Sequence, residues 1–275
     1  IACLLVCFLS LFHGVVHPAP LRVGVIGAGM AGGSMSYYLH EAMGDNVIID
    51  VYERNDYIGG RLKHIDIDGV SFDLGGDVWS SVNEYMMELQ AALNIPLANT
   101  QINDAQGFGI YIGNGEWLNL FKNAKDEAAT AAAISEFSVK LKLNYNRRGS
   151  NGTFTTVNDY LASTLSPYAA TTTQQQFNGL VDQNFLDESV LPLSRTIYDE
   201  DLSLNGFAGF AALLSATSKT FSTQGGNDVF VETLLTASNA TVSLSSKITK
   251  VKKNNDGTYT FTIEDLATNN NNNNN

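Results

Sequence analysis

Three glycines near the start of the sequence are spaced for binding a phosphate group. Gly27, Gly29 and Gly32 fit the pattern G-x-G-x-x-G. In that pattern the first glycine permits a tight turn, the second lets the backbone approach a pyrophosphate, and the third lets a helix pack closely on a strand. The alternative is a plain glycine turn without a ligand. We interpret the pattern as a dinucleotide site, with the N–H groups of the following helix facing the phosphates.

A carboxylate and two arginines follow the glycines. Glu53 comes about 20 residues after Gly32, where an acid can accept hydrogen bonds from ribose hydroxyls. It opens the segment Glu53-Arg54-Asn-Asp-Tyr-Ile-Gly59-Gly60-Arg61. A guanidinium beside this second glycine pair can neutralise phosphate oxygens and hydrogen-bond them. The alternative is a surface turn whose arginine is only solvated.

The elements around these residues predict a βαβ unit. Residues 22–26 and 47–52 are short apolar runs typical of buried parallel strands, and residues 34–43 between them have helical character. Parallel strands need such a crossover helix, which covers one face of the sheet. Other predicted elements are a hairpin over 63–72 that turns at Asp68-Gly69, a helix over 84–93, a hairpin over 107–120, a helix over 124–146, a short helix over 157–165, further helices over 177–235, and a hairpin formed by 242–251 and 259–264.

The segment from Glu53 to Arg61 has the form E-R-x(4)-G-G-R and resembles the flavin amine-oxidase superfamily. The resemblance implies an α/β fold with a Rossmann-like, doubly wound FAD-binding domain of the GR2 type. In that superfamily the second glycine pair and its arginine lie against the FAD diphosphate, which implies this role for Gly60 and Arg61. It also places Arg54 among the cofactor-binding residues.

Two later segments match the same superfamily. Gly75 and Gly76 resemble a glycine pair near the isoalloxazine ring, where a flat ring edge leaves no space for a side chain. The segment Gln224-Gly-Gly226-Asn227 resembles the one before a strand whose main chain touches adenine. Ile248 would make that contact through its backbone.

The order of segments from Arg22 to Glu264 resembles the N-terminal half of the prenylcysteine oxidases in particular, with further matches at 109–111 and 191–198. The resemblance implies cleavage of the thioether of a prenylated cysteine, with molecular oxygen as the acceptor. The products would be cysteine, a prenyl aldehyde and hydrogen peroxide, in the degradation of prenylated proteins. Two alternatives stay open, another flavin amine or polyamine oxidase and an inactive fragment that folds poorly or only binds a nucleotide.

The predicted domains follow from this resemblance. Residues 20–104 and 221–268 would form two parts of one FAD-binding domain, and residues 105–220 an inserted substrate domain of mixed α+β structure. Residues 269–275 are all asparagine and read as a low-complexity tail. Because a doubly wound sheet needs later strands, we expect the chain to be truncated within a domain and to lack oxidase activity by itself.

Residues 1–19 indicate a secretory signal peptide, with a retained membrane anchor as the alternative. The apolar run from Ile1 to Phe12 is too short to span a bilayer unaided. The only two cysteines, Cys3 and Cys7, lie in this segment, so we expect no disulfide in the mature protein. Asn151 and Asn239 begin sequons and are candidate glycosylation sites. We expect the secretory pathway, with the lysosome or the extracellular space as the destination.

The formal net charge of −12 disfavours nucleic acid as a partner, because an acidic surface repels phosphate backbones. The four histidines show no metal-ligand spacing, so we predict no metal site. No catalytic acid or base is indicated, and flavin chemistry needs few, because the protein mainly positions the cofactor. Association with a membrane surface is left open.

Overall fold

The computed structural model describes residues 19–98, 109–119, 124–145, 156 and 165–269. All but the last residue of the predicted signal peptide, the sequon at Asn151 and nearly all of the predicted helix over 157–165 lie outside the described residues. The strands are β1 Leu21–Ile26, β2 Val47–Tyr52, β3 His64–Ile67, β4 Val70–Asp73, β5 Trp79–Ser80, β6 Gly109–Gly113, β7 Glu116–Asn119, β8 Thr220–Phe221, β9 Thr241–Ser243, β10 Ser246–Lys253 and β11 Tyr259–Asp265.

The helices include several of a single turn. They are α1 Met30–Met43, α2 Glu84–Leu93, α3 Ala124–Tyr145, α4 Ser166–Ala169, α5 Thr173–Phe177, α6 Gln183–Phe185, α7 Leu191–Tyr198, α8 Gly206–Ala216, α9 Asp228–Ala237 and α10 Leu266–Asn269. Residues Gly44–Asn46 and Gly60–Leu62 form 3₁₀ turns, and Leu186–Val190 form a π-helical turn before α7.

The chain divides into two compact units. The first contains the described residues up to Asp77, Leu89–Ala98, and those from Ser222 onward, and the second contains Val78–Glu88 and the described residues between 99 and Phe221. The inserted domain was expected to begin at residue 105, whereas the second unit also takes in Val78–Glu88. The reason is that β5 pairs antiparallel with β8, with the rings of Trp79 and Phe221 5.0 Å apart.

The first unit is built on a parallel sheet in the order β1-β2-β9. β1 pairs with β2 from Leu21–Val47 to Ile26–Tyr52, and α1 connects the two strands as a crossover helix. The predicted βαβ unit is therefore present, and α1 begins at Met30, four residues before the predicted start. The helix extends this far because the glycine loop ends directly in its first turn.

Branched apolar side chains fill the core of the first unit, as expected for strands covered by helices. Helices α1 and α9 pack against each other there, and a Cβ atom added at Gly33 would lie 3.2 Å from Val231 Cγ1. The buried core consists of Val25, Ala28, Val47, Ile49, Val51, Val231 and Leu235. The missing side chain at Gly33 thus permits the close approach of the two helices.

Two hairpins complete the first unit. In the β3–β4 hairpin Asp68 and Gly69 both have positive φ, 51° and 80°, as a two-residue turn of this kind requires. The predicted strand over 242–251 is wrong, because it is divided in two. β9 pairs in parallel with β2, Ser245 then adopts a φ of 50°, and β10 pairs with β11.

The second unit has a helical core of aromatic and aliphatic side chains. The rings of Phe177 and Phe210 are stacked with their centroids 5.0 Å apart. Phe137 and Tyr168 meet edge to face at 5.1 Å, and each also contacts Phe210. Phe210 is therefore the centre of this core.

No helix in the described ranges is long and apolar enough to cross a membrane.

We expect Phe210→Ala to lower the free energy of unfolding of the second unit by about 3–5 kcal/mol, because it removes a buried ring and leaves a cavity. The measurement is urea unfolding followed by near-UV circular dichroism. Leu180→Ala is the control, since Leu180 is 48% exposed and its loss should cost less than about 1 kcal/mol. Equal losses in the two variants would contradict this description of the core.

Candidate functional site

The first glycine loop joins β1 to α1. Gly27 has a φ of 98° and donates its N–H to the carbonyl of Tyr52 at 2.8 Å. A Cβ atom at Gly32 would lie 1.9 Å from the carbonyl oxygen of Gly27, whereas one at Gly29 would meet, among the residues that the structure describes, the carbonyl oxygen of Gly59 alone, at 3.7 Å. The fold itself therefore requires glycine at positions 27 and 32, but the protein's own packing does not require it at Gly29.

The N-terminus of α1 opens at this loop. Gly29 is its N-cap, no side chain among the described residues caps the helix, and its first turn carries no acidic residue. The first N–H groups of a helix have no acceptor within the helix, and the helix dipole makes this end positive. The site therefore offers uncapped donors to an anion, with open space at Gly29.

The carboxylate of Glu53 links the two glycine segments. It is buried, with 6% of the residue exposed. Oε2 accepts the N–H of Ala28 and Oε1 accepts the N–H of Asn55, each at 2.8 Å. The backbone of Glu53 donates to the carbonyl of Ser243, the last residue of β9, and accepts the N–H of Ser246, the first residue of β10. Contact of Glu53 with a ribose stays a prediction. The role of this carboxylate in ordering both loops was not visible in the sequence.

The second glycine pair lies against the first loop. Gly59 donates its N–H to the carbonyl of Ala28 at 2.8 Å, and a Cβ atom at Gly60 would lie 3.7 Å from Gly29 Cα. Both glycines have positive φ, 93° at Gly59 and 62° at Gly60. The structure thus brings together Gly29 and Gly60, which are far apart in the sequence.

Two arginines belong to this segment and are exposed. Arg54 follows Glu53, and Arg61 lies in the 3₁₀ turn after the second glycine pair. Within the described part of the chain neither guanidinium has a side-chain hydrogen bond or an ion pair. Their charges are therefore available to a ligand, and direct contact with a diphosphate stays a prediction.

Gly75 and Gly76 pack on the backbone of Arg61. A Cβ atom at Gly75 would lie 1.9 Å from the carbonyl oxygen of Arg61, and the N–H of Gly76 donates to that oxygen at 3.0 Å. Packing within the protein thus requires glycine at position 75. That this pair also makes space for a flavin ring stays a prediction.

Asn227 is a buried residue for which the sequence indicated no role of its own. Its backbone N–H donates to Oδ1 of Asp73 at 2.9 Å, and its side-chain amide donates to the carbonyl of Gly76 at 2.8 Å. Its Oδ1 accepts the N–H of Thr223 at 2.8 Å. The signal for Asn227 in the sequence was its position after a glycine pair and before α9. Asn227 fixes the Gly75–Gly76 segment against the start of α9.

The remaining predicted positions lie away from the glycine loops in sequence. Ile248 is half-buried in β10, pairs with Ile263, and lies at a β-bulge. Asn239 is exposed directly after α9, with a φ of 52°. Adenine contact by Ile248 and glycosylation at Asn239 both stay predictions.

A dinucleotide cofactor fits this arrangement. The open space at Gly29 and the start of α1 suit a diphosphate, and the exposed Arg61 supplies positive charge. Glu53 retains unused lone pairs on both oxygens, because a carboxylate can accept about four hydrogen bonds. In the part of the chain that the structure describes, no group of three or more His, Cys, Asp or Glu could hold a metal ion.

Two family models match the chain. Residues 25–93 match a model described as an NAD(P)-binding Rossmann-like domain, and residues 140–275 match one described as prenylcysteine lyase. The first match covers the glycine loop, Glu53 and the second glycine pair.

Curated relatives match over most of the chain. Rat prenylcysteine oxidase 1 is 26% identical, with 85% of this chain and 49% of the relative covered. The human protein of that name is 24% identical, with 94% of this chain and 54% of the relative covered. The chain therefore spans about half the length of the curated relatives it matches.

Solved structures share the fold. A putrescine oxidase variant superposes with a TM-score of 0.62 at 18% identity, covering 90% of this chain and 56% of the other. An oxidoreductase from Methanosarcina mazei gives a TM-score of 0.54 at 13% identity, covering 89% and 57%. At these identities the likeness shows the fold alone.

The class that the fold and the site define is that of proteins with a Rossmann-like dinucleotide-binding domain of the FAD type. Within this class the chain is similar to the prenylcysteine oxidases. The predicted fold class, the FAD type of the cofactor domain and the resemblance to this family are confirmed.

We expect Gly29→Ala to fold normally but to lose most of its affinity for FAD, because the new methyl group occupies space that the protein leaves open for the diphosphate. Gly32→Ala should instead lower the free energy of unfolding by about 1–3 kcal/mol, because its methyl group overlaps the Gly27 carbonyl. Flavin fluorescence titration and urea unfolding measure the two effects. Normal FAD binding by a folded Gly29→Ala variant would contradict the assignment of the loop.

We expect Glu53→Gln to lower the free energy of unfolding by about 1–3 kcal/mol, because an amide offers one oxygen where two N–H groups need acceptors. The control is Glu264→Gln, which removes a half-exposed ion pair with Lys247 and should cost less than about 1 kcal/mol. Urea unfolding of both variants is the measurement. A neutral Glu53→Gln would show that this carboxylate does not order the two loops.

Proposed function

We propose that the protein carrying this chain is an FAD-dependent oxidase that cleaves the thioether of a prenylated cysteine. The observation that carries the proposal is the prenylcysteine lyase match over residues 140–275, in a chain whose first unit offers a cradle for a dinucleotide. The curated relatives are named prenylcysteine oxidase 1 or prenylcysteine oxidase 1-like, and these names support the same substrate class.

The first unit would hold the cofactor. The N–H groups at the start of α1 would bind the diphosphate, Arg61 would neutralise part of its charge, and Glu53 would accept a ribose hydroxyl. Arg54 is exposed beside Glu53 and would add positive charge at the same end of the sheet. These residues position the cofactor, and none of them needs to exchange a proton with the substrate.

The second unit contains most of the region that matches prenylcysteine lyase, and we assign it to the substrate. Bound FAD would supply a hydride acceptor. Loss of a hydride from the prenyl carbon attached to sulfur leaves a thiocarbenium, which adds water and collapses to cysteine and a prenyl aldehyde. Molecular oxygen is the proposed final acceptor, with hydrogen peroxide as its product. An apolar prenyl chain requires a mostly apolar pocket.

The cellular setting is also a proposal. A signal peptide at 1–19, glycosylation at Asn239 and an acidic net charge of −12 suit the secretory pathway, with the lysosome or the extracellular space as the destination. The proposed role there is the degradation of prenylated proteins, whose cysteine adducts would reach the enzyme from membranes.

We expect the protein carrying this chain to release hydrogen peroxide and farnesal in equal amounts from farnesylcysteine and to leave putrescine unchanged. The reason is that the proposed substrate site recognises a thioether and an apolar chain rather than a second amine. A coupled peroxide assay with chromatography of the aldehyde is the measurement, and the Gly29→Ala variant is the control for cofactor dependence. Oxidation of putrescine without turnover of farnesylcysteine would contradict the proposed substrate.

A further inference from the structure

His64 and Asp228 form an ion pair beside the second glycine pair. Nδ1 of His64 lies 2.7 Å from Oδ1 of Asp228, and the two side chains are 28% and 16% exposed. His64 begins β3 and Asp228 begins α9, so the contact joins elements that are distant in sequence. The pair therefore connects the β3–β4 hairpin to the start of α9.

Two glycines with positive φ enclose this ion pair. A Cβ atom at Gly226 would lie 2.7 Å from Cγ and Nδ1 of His64. A Cβ atom at Gly59 would lie 2.7 Å from the Cβ atom of Asp228. His64 is thus packed against the Gly226 backbone, and Asp228 against the Gly59 backbone.

Gly59 connects the pair of His64 and Asp228 to the first glycine loop. Its N–H donates to the carbonyl of Ala28 at 2.8 Å, and Gly29 and Gly59 form a parallel β-bridge. Asp228 therefore packs against Gly59, and Gly59 contacts the loop that would hold the diphosphate. A negative charge in this place would repel phosphate oxygens unless it is neutralised.

Several charged groups surround His64. The pKa of His64 is raised, first by its hydrogen bond to Asp228 and further by the nearby charges of Asp228, Asp66 and Asp73. Asp73 on β4 accepts the N–H of Asn227, and Asp66 on β3 accepts the hydroxyl of Ser71. The cations next to it in the chain are Arg61 and Lys63, and Nζ of Lys63 lies 4.0 Å from the ring centre of Tyr57.

We propose that His64 is a positioning residue for the cofactor: through Asp228 it fixes the second glycine pair against the first, and its positive charge cancels that of Asp228. The inference rests on the proposed binding of FAD. Neither side chain needs to touch the cofactor, because the contact passes through Gly59.

The sign of the pH effect follows from this arrangement. Below its raised pKa His64 is protonated, the pair is neutral overall, and the diphosphate meets no net repulsion from Asp228. As the pH rises through that pKa, the charge of Asp228 is left uncompensated. FAD binding should therefore weaken by about fivefold between pH 5.5 and 8.5, the order of magnitude for a partly exposed charge near another.

The test is a titration of the protein with FAD at both pH values, using His64→Asn, Asp228→Asn and the double variant. Asparagine at 64 can still donate to Asp228 but carries no charge, so its binding should be weak and independent of pH. Asparagine at 228 can still accept from His64, so this variant and the double variant should bind tightly at both pH values. Lys63→Ala is the matched control and should keep the wild-type pH dependence.

Three results of this titration would overturn the inference. Weakening by the same factor at both pH values in both single variants would indicate a purely structural role and overturn the inference. Wild-type binding that does not change with pH would overturn it too, while leaving the proposed function intact. Failure of the wild type to bind FAD at any pH would overturn the proposed function and the inference together. Near-UV circular dichroism without FAD verifies folding, and His64→Gln replaces His64→Asn if that variant does not fold.

Discussion

The buried carboxylate of Glu53 is the interaction on which the dinucleotide site depends. A carboxylate removed from water is costly unless its oxygens are hydrogen-bonded, and here each oxygen accepts a backbone N–H. One of these N–H groups belongs to the first glycine loop and the other to the second segment. The backbone of Glu53 is fixed in turn by the end of β9 and the start of β10. The side chain of Glu53 therefore connects the first glycine loop to the second segment, and its backbone connects both to the end of the sheet.

The glycines around this carboxylate serve two different physical purposes. Gly27, Gly32 and Gly75 are required by the protein itself, through positive φ or through contact with a carbonyl oxygen. Gly29 has an extended backbone with room for a methyl group, so packing alone does not account for it. A site for an anion does account for it, since a side chain there would fill the space above the uncapped helix end. The distinction separates residues that make the fold from a residue that leaves space for a ligand.

Local patterns in the sequence predicted the elements whose formation depends on the spacing of neighbouring residues. The βαβ unit, the hairpin turn at Asp68-Gly69 and the helix over 84–93 follow from periodicity and turn residues, and the structure has all three. The site was predictable where a motif specifies the backbone, as at Gly27 and Gly32. Contacts between distant segments were not, because nothing in the sequence indicates that Asn227 reaches Gly76 or that Asp228 meets His64. The division of the strand over 242–251 was missed for the same reason, since it depends on pairing with β2 and on a left-handed Ser245.

The central claim is that this cradle holds FAD without a covalent bond. The most direct measurement is the absorption spectrum of the purified protein, followed by acid precipitation and mass spectrometry of the supernatant. Both cysteines of the given sequence, Cys3 and Cys7, lie before residue 19, so the segments that form the cradle offer no thiol for a link to the flavin. We predict flavin absorption bands in the native protein and intact FAD in the supernatant. A colourless protein, a nicotinamide nucleotide in the supernatant, or yellow colour retained in the pellet would contradict the claim.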